Sequence, residues 1–417
     1  MDRGFLFVRI SANEAVMENM NPAETTRHFQ LLLDRAAEAG GGRVEIPPGL
    51  HVCGSLELKS GVELHVCQGA RLRAADDAAL FPARIRHEGR LTANDKCGAL
   101  LFARDAEEVA VTGFGTLDGG GDWDACPDWK SAQSIFRPAV GFFENCSGLR
   151  IEGVRIIGAK WWTLHLMRCE DTVLRGIRMR SNWPNSDGID PDGCRRMIIS
   201  DCHLICGDDC IVLKSTVGDT CEDICVSNCI LETPKACLKI GTESLGTFRN
   251  ISMANCVLKG DVAFGLYMKD GGCIDNVQAA NLLADMTSAY PFLIDAMPRD
   301  YRSGDPAGTI RNISLRGCRI RGPGRIWVEG TETEPVENIS ISDIDWDVTG
   351  PIPETPEPKP VGSARVIIDP ARPKYEAGRA HLVAVHVKDL HVEGIRLHGA
   401  DGGRALREEI PAGSPKS

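Results

Sequence analysis

Three aspartates carry the densest chemistry in this chain. Between Asn182 and Lys214 the sequence reads NWPNSDGIDPDGCRRMIISDCHLICGDDCIVLK, with Asp187 in an Asn-Ser-Asp-Gly-Ile-Asp run and Asp208 and Asp209 in a Gly-Asp-Asp-Cys run. Carboxylates held close together cannot all ionise at their ordinary pKa, so at least one of the three is expected to be raised. A carboxylic acid that protonates a leaving oxygen, beside carboxylates that activate water, is equipment for general acid–base hydrolysis. Stacked carboxylates also suit a calcium ion, which keeps a metal-dependent elimination open as an alternative. Asp190 and Asp192 are read as framework residues, because Asp is common at turns.

Chemistry of this kind needs elements that bring residues 187 and 209 together, and weak internal repeats supply them. A β-rich unit recurs as IEGVRI from Ile151, LRGIRM from Leu174, IISDCHL from Ile198, ICVSNCIL from Ile224 and ISMANCVL from Ile251. It continues as VQAANLLA from Val277, ISLRGCRI from Ile313 and ISISDIDW from Ile339. The turn residue of each unit falls at Gly153, Gly176, Asp201, Asn228 and Asn255, in steps of 23, 25, 27 and 27 residues. Periods in the twenties mean a solenoid. The alternation is β-like and no 3.6-residue period appears, so a leucine-rich repeat is excluded. The reading is an all-β, single-stranded parallel β-helix whose coils stack about 4.8 Å apart.

Matching Gly188-Ile189 with Cys210-Ile211, then Cys237-Leu238 and Gly265-Leu266, gives one column across neighbouring coils. One residue earlier stand Asp187, Asp209, Ala236 and Phe264. Asp187 and Asp209 are therefore expected one strand spacing apart, with Asp208 alongside.

At the start, Pro22 to Ala39 reads as an amphipathic helix with Phe29, Leu32, Leu33 and Ala36 on one side, ended by Gly40-Gly41-Gly42. Such a helix would cap the open solenoid edge. Pro351 to Pro360 reads as a loop, strand signals resume at Ala364 to Asp369 and Leu382 to Leu397, and residues 408–417 read as a disordered tail. One domain over 1–417 is expected, with the solenoid and its cap over about residues 20–400.

Composition narrows the partners. A net charge of -11 argues against nucleic acid, which needs clustered Lys and Arg. No window approaches a membrane span. Apolar residues reach 43%, aromatics only 6%, and Gly 44 copies, which suits short strands and turns. The 17 cysteines are an odd number in a long chain, and Phe5 to Ile10 is too short for a signal-peptide core. Reduced thiols and a cytoplasmic location are expected, with Cys202, Cys225, Cys229 and Cys256 packed as small apolar residues. Cys206 and Cys210 lack a matching His/Cys pair at zinc spacing, so no metal and no other cofactor is assigned.

At the acidic cluster the sequence resembles the polygalacturonase family, glycoside hydrolase family 28. The resemblance includes the stretch GGGRVEIPPGLHVCGSLELKSGVELHVCQGARL, the WWTLHL segment from Trp161, and both aspartate motifs. It implies a right-handed β-helix, a poly- or oligosaccharide substrate, and single-displacement hydrolysis with inversion. It also implies Asp208 as the general acid, with Asp187 and Asp209 holding and deprotonating the attacking water.

The departures bear on substrate. The family's Gly-His-Gly motif aligns with Lys235-Ala236-Cys237, so Ala236 stands at the histidine position. Its Arg-Ile-Lys motif aligns with Tyr267-Met268-Lys269, which keeps Lys269 and loses the arginine. Arg grips a carboxylate with two parallel hydrogen bonds and Tyr cannot replace that charge. Lys239, read in the column of Tyr267, is expected either to supply a cation instead or to pair with Glu243. Rhamnogalacturonan-like or modified sugars thus stand level with plain galacturonan.

Trp162 and Trp183 are candidates for stacking on sugar rings, with core packing as the alternative, and Asn185 joins them as a substrate contact. His165 and His203 are read as structural. The insertion between Gly113 and Gly153, with Trp123 and Trp129, is expected to wall the cleft and so favour attack from a chain end. A β-helix that binds sugar without cleaving it is the alternative from another class. The sequence carries no signal for oligomeric state.

Overall fold

A computed structural model describes residues 8–11, 20–82, 98–287, 290–299, 306–350, 381–399 and 407–410. Every strand pairing among them is parallel, and the chain is a single-stranded right-handed parallel β-helix. By its internal packing it divides into two compact units, residues 1–208 and 209–417.

In the first unit each coil contributes three strands. One stack runs through Gly42–Ile46, Val62–Val66, Ala110–Gly113, Arg150–Glu152, Glu170–Arg175 and Arg195–Ser200. A second runs through Gly49–Cys53, Ala70–Ala74, Thr116–Asp118, Arg155–Ile157, Arg178–Arg180 and His203–Ile205. The third, through Ala99–Arg104, Ala139–Glu144, Leu164–Met167 and Ile189–Asp192, leads into the acidic cluster.

The helix spans Pro22–Glu38, and Asn21 and Glu24 form a reciprocal capping box at its start. Phe29, Leu33 and Ala36 are fully buried against the first strands, and Phe29 meets the edge of His51 at 5.7 Å. A strand at Val8–Ser11 lies beside Gly42–Glu45, where the sequence shows only an apolar patch. No helix among the described residues is long and apolar enough to cross a membrane.

In the second unit one stack holds Cys221–Ser227, Thr247–Ala254, Cys273–Ala280, Thr309–Arg316, Val336–Ser342 and Val387–Glu393. Another holds Ile211–Ser215, the later part of Ile230–Ser244, the end of Val257–Tyr267, then Phe292–Asp295, Ile326–Glu329 and Leu382–Val385. Arg407–Ile410 adds a further strand beside Leu382–Val385, where the sequence reading places the start of a tail. The loop at 351–360, the strand signal at 364–369 and residues 411–417 lie outside the described residues.

The turn residues chosen from sequence share one backbone state. Gly153, Gly176, Asp201, Asn228 and Asn255 have φ of 78°, 64°, 57°, 56° and 56°. This left-handed region favours Gly, Asn and Asp, so the turn column restricts residue type at every coil. A second such column, Asp223, Asn250, Asn276, Asn312 and Asn338, is not obvious in the sequence. Its side chains form a ladder, with Asn276 Nδ2 donating to Asn250 Oδ1 at 2.9 Å and Asn338 Nδ2 to Asn312 Oδ1.

Cys202, Cys229 and Cys256 are buried one residue beyond their turns, and each thiol donates to a carbonyl two residues back at 3.2 Å. Cys225 is a correction: it points outward and is exposed, because it sits at the alternate position of its strand.

Candidate active site

The acidic cluster sits on turns pinned by short contacts. Ser186 Oγ accepts from the Gly207 amide at 3.2 Å and donates to the Trp183 carbonyl at 2.6 Å. A Cβ at Gly207 would lie 2.4 Å from backbone atoms of Asn182 and Trp183, so only glycine fits ahead of the Asp-Asp pair. Asp208 and Asp209 are consecutive, and one carboxylate oxygen from each lies within 4.8 Å of one from Asp187. Asp187 and Asp209 are 3% exposed, while Asp208 is more open.

Asp209 is held at both oxygens. The Ala236 amide donates to Oδ1 at 3.1 Å and Lys239 Nζ donates to Oδ2 at 2.6 Å. Thus the backbone at the family's histidine position still reaches the cluster, without a side chain.

Lys239 is engaged by Asp209, a partner that neither expectation named. Its ammonium is buried, whereas Glu243 pairs with Lys214 at 3.1 Å and lies 3.6 Å from Arg299. The column is corrected. Leu238 stands beside Phe264, and Lys239 beside Gly265, so Lys239 is two residues from the row of Tyr267. Ala236 faces Val262 rather than Phe264, across an irregularity after Thr233. A two-residue slip keeps every side chain on its face, so alternation cannot detect it.

Lys269 is 2% exposed and its ammonium lies 2.6 Å from Asp295. Tyr267 packs its ring over Gly265, with Lys239 Nζ 5.2 Å from the ring centroid. Burial pushes the Tyr267 phenol well above its ordinary pKa, and the charges of Asp209, Asp295 and Asp261 push it further. It is therefore neutral, and its hydroxyl has no hydrogen-bond partner among the described residues. Burial opposes ionisation of Glu243, but Lys214, Arg299 and Lys239 outweigh it and bring the pKa down to about 2.

Trp162 and Trp183 take the packing alternative in this structure. Trp162 is 5% exposed, with Trp161 stacked at 5.8 Å and His165 against it at 5.1 Å. Trp183 is 7% exposed and its indole N–H donates to the Asp122 carbonyl at 2.9 Å. Both rings are occupied by the protein. His165 is buried, with Nε2 3.1 Å from Asp192 Oδ2.

Asn185 keeps a half-open position, and its Oδ1 accepts from Arg137 at 3.3 Å and Gln133 at 3.4 Å. Arg137 was missed by sequence reasoning. It is 1% exposed, lies 4.3 Å from the Trp161 ring and donates to the Pro184 carbonyl at 2.9 Å. Lys214, Asp295, Asp270 and Arg299 were also missed. The available signal was a charged residue on an otherwise apolar strand, as in IVLKS and FLID.

Comparisons with known proteins show the family and the fold. The sequence model described as "Glycosyl hydrolases family 28" matches residues 61–357, more than half of the chain. A probable polygalacturonase of Vitis vinifera is 28% identical over 195 residues, 44% of this chain and 39% of the relative. The match thus spans well under half of that relative's length. Among solved structures, a hyperthermoactive exopolygalacturonase from Thermotoga maritima superposes with a TM-score of 0.72 at 24% identity, covering 90% of this chain and 88% of the other. A family 28 exopolygalacturonase from Yersinia enterocolitica gives 0.70 at 15% identity, covering 98% and 79%.

Proposed function

The chain belongs to glycosyl hydrolase family 28, and on that premise we propose that it hydrolyses a glycosidic bond in a pectin-type poly- or oligosaccharide, galacturonan or rhamnogalacturonan-like. The observation that carries the reading is the grouping of Asp187, Asp208 and Asp209 within 4.8 Å, with Asp209 fixed by Lys239 and the Ala236 amide. Asp208, the more open of the three, gives its proton to the departing oxygen. Asp187 and Asp209 orient water and take its proton as it attacks the anomeric carbon.

Two features bear on the sugar at the cleaved bond. Lys239 and Lys269 are each engaged by a protein carboxylate, and the Tyr267 hydroxyl is buried. With a buried neutral side chain at the position of the family's arginine, this supports a branched, modified or mixed chain over plain galacturonan. Segment 121–137 is tied to residues 182–185 through Asp122, Trp123, Gln133 and Arg137, which supports a walled cleft and attack from a chain end.

Family membership favours inversion. We adopt inversion, since three carboxylates can share one water, and proton NMR of the first product anomer decides it.

The test is reducing-sugar release from acidic, mixed and neutral pectic oligosaccharides by wild type and Asp208→Asn, with chelator present. Release that the substitution abolishes supports the hydrolase. Activity that disappears with chelator and yields an ultraviolet-absorbing unsaturated product would instead assign the three carboxylates to a cation and the reaction to a lyase.

A further inference from the structure

The first unit carries a basic face. Arg71, Arg155 and Arg178 align across neighbouring strands with Thr116 and His203, and Arg73 and Arg180 align with Asp118 and Ile157. Leu72 and Met179 point inward, so the flanking arginines point out. Five guanidinium groups on one face are unexpected in a chain of net charge -11.

At one edge this face becomes a pocket of about 330 Å³, bounded by Arg71, Arg73, Arg180, Asp122, Trp123 and Asn182. That volume lies at the lower end for small-molecule sites. The cations are positioned. Asp118, almost fully buried, takes Arg71 Nε at 2.8 Å and Arg73 at 3.4 Å, and its other oxygen accepts from the Gly120 amide at 2.9 Å. Arg180 lies 4.1 Å from the Trp123 ring centroid and has no ion pair among the described residues. Trp123 in turn is held by Asn182 Nδ2, which donates to its carbonyl at 2.8 Å. Asp122 is the acidic group lining the pocket, and its Oδ1 accepts from the Asp124 amide.

We propose that this pocket is an accessory subsite for a carboxylated sugar unit of the substrate, with Arg180 and the Arg71–Arg73 pair gripping the sugar carboxylate. Arginine suits this because its planar fork matches a carboxylate with two parallel bonds. Arg180 is the cation of the pocket without a carboxylate among the described residues, whereas Arg71 and Arg73 share Asp118, and Lys214, Lys239, Lys269 and Arg299 each face a protein carboxylate. The pocket's closing segment also carries Asn182, five residues before Asp187, so occupancy orders the turn that carries Asp187. This proposal rests on the pectic reading of the chain.

Direct binding of an oligogalacturonide and of its fully methyl-esterified form to the Asp208→Asn protein tests it, using Trp fluorescence and calorimetry. Arg180→Ala and Arg73→Gln are compared after melting temperatures confirm folding. The expected result is about 10-fold weaker binding of the acid in either variant, with the ester unchanged. Equal affinity for acid and ester, or acid binding unaffected by both substitutions, would overturn the subsite. Arginine-dependent acid binding in a protein whose wild type cleaves no sugar would sink the hydrolase reading and leave the subsite standing. Cleavage with an unaltered KM for acidic substrate in both variants does the reverse.

Discussion

Lys239 Nζ lies 2.6 Å from Asp209 Oδ2, with both side chains about 4% exposed. A buried pair of this kind contributes modestly as a pair but punishes removal of one partner, because the other charge stays buried. Lys239→Met should destabilise the protein by roughly 3–5 kcal/mol and lower kcat. The double variant Lys239→Met/Asp209→Asn should recover most of the stability and none of the activity. Denaturant unfolding of the four proteins measures the coupling, and strictly additive losses would show that the pair does not act as a unit.

Asp208→Asn should lower kcat by a factor on the order of 10²–10⁴, the usual range for removing a general acid or base. Because Asp208 is partly open, the melting temperature should hardly move. A variant that keeps more than half of wild-type turnover would remove Asp208 from the chemistry.

Tyr267→Phe deletes a buried hydroxyl that has no partner among the described residues. Stability should stay level or rise, since no hydrogen bond is lost and a desolvated donor disappears. KM and kcat should stay near the wild-type values, because the hydroxyl is enclosed by protein. Steady-state kinetics beside a thermal melt checks both.

Trp162→Ala should cost roughly 3–5 kcal/mol of stability, the usual range for a buried aromatic. Its ring is enclosed by Trp161 and His165, so KM should stay near the wild-type value wherever the variant remains folded. A large KM increase in a stable variant would restore the ring to the substrate site.

Acid stability should report Glu243. Its folded-state pKa of about 2 lies below the ordinary glutamate value of 4.5, so this group's stabilisation is complete above pH 4.5. It is lost as pH falls from there toward 2, because the unfolded chain binds the proton more readily. The full shift corresponds to roughly 3 kcal/mol, and Glu243→Gln should flatten the unfolding profile across that window. An unchanged profile would mean that Lys214 and Arg299 do not hold the carboxylate charged.

What could be read from the chain alone was whatever repeats locally. The turn column from Gly153 to Asn255 is legible because a left-handed backbone admits few residue types, and that column sets the coil length. With coil length known, Asp187 falls near Asp208 and Asp209, and the helix Pro22–Glu38 follows from its period and cap. Tertiary structure decided the register around Lys239, where the pairing offset falls from 27 residues at Thr233 to 26 from Ala236 onward, two short of the 28 that the sequence column assumes. It also decided which cation meets which anion. Lys239 reaches Asp209 across 30 residues of chain, Lys269 reaches Asp295 across 26, and Trp162 and Trp183 turn inward. Alternation specifies the face of a side chain but not its neighbour on the next coil. Partnership and burial are set by stacking, which sums over many residues at once.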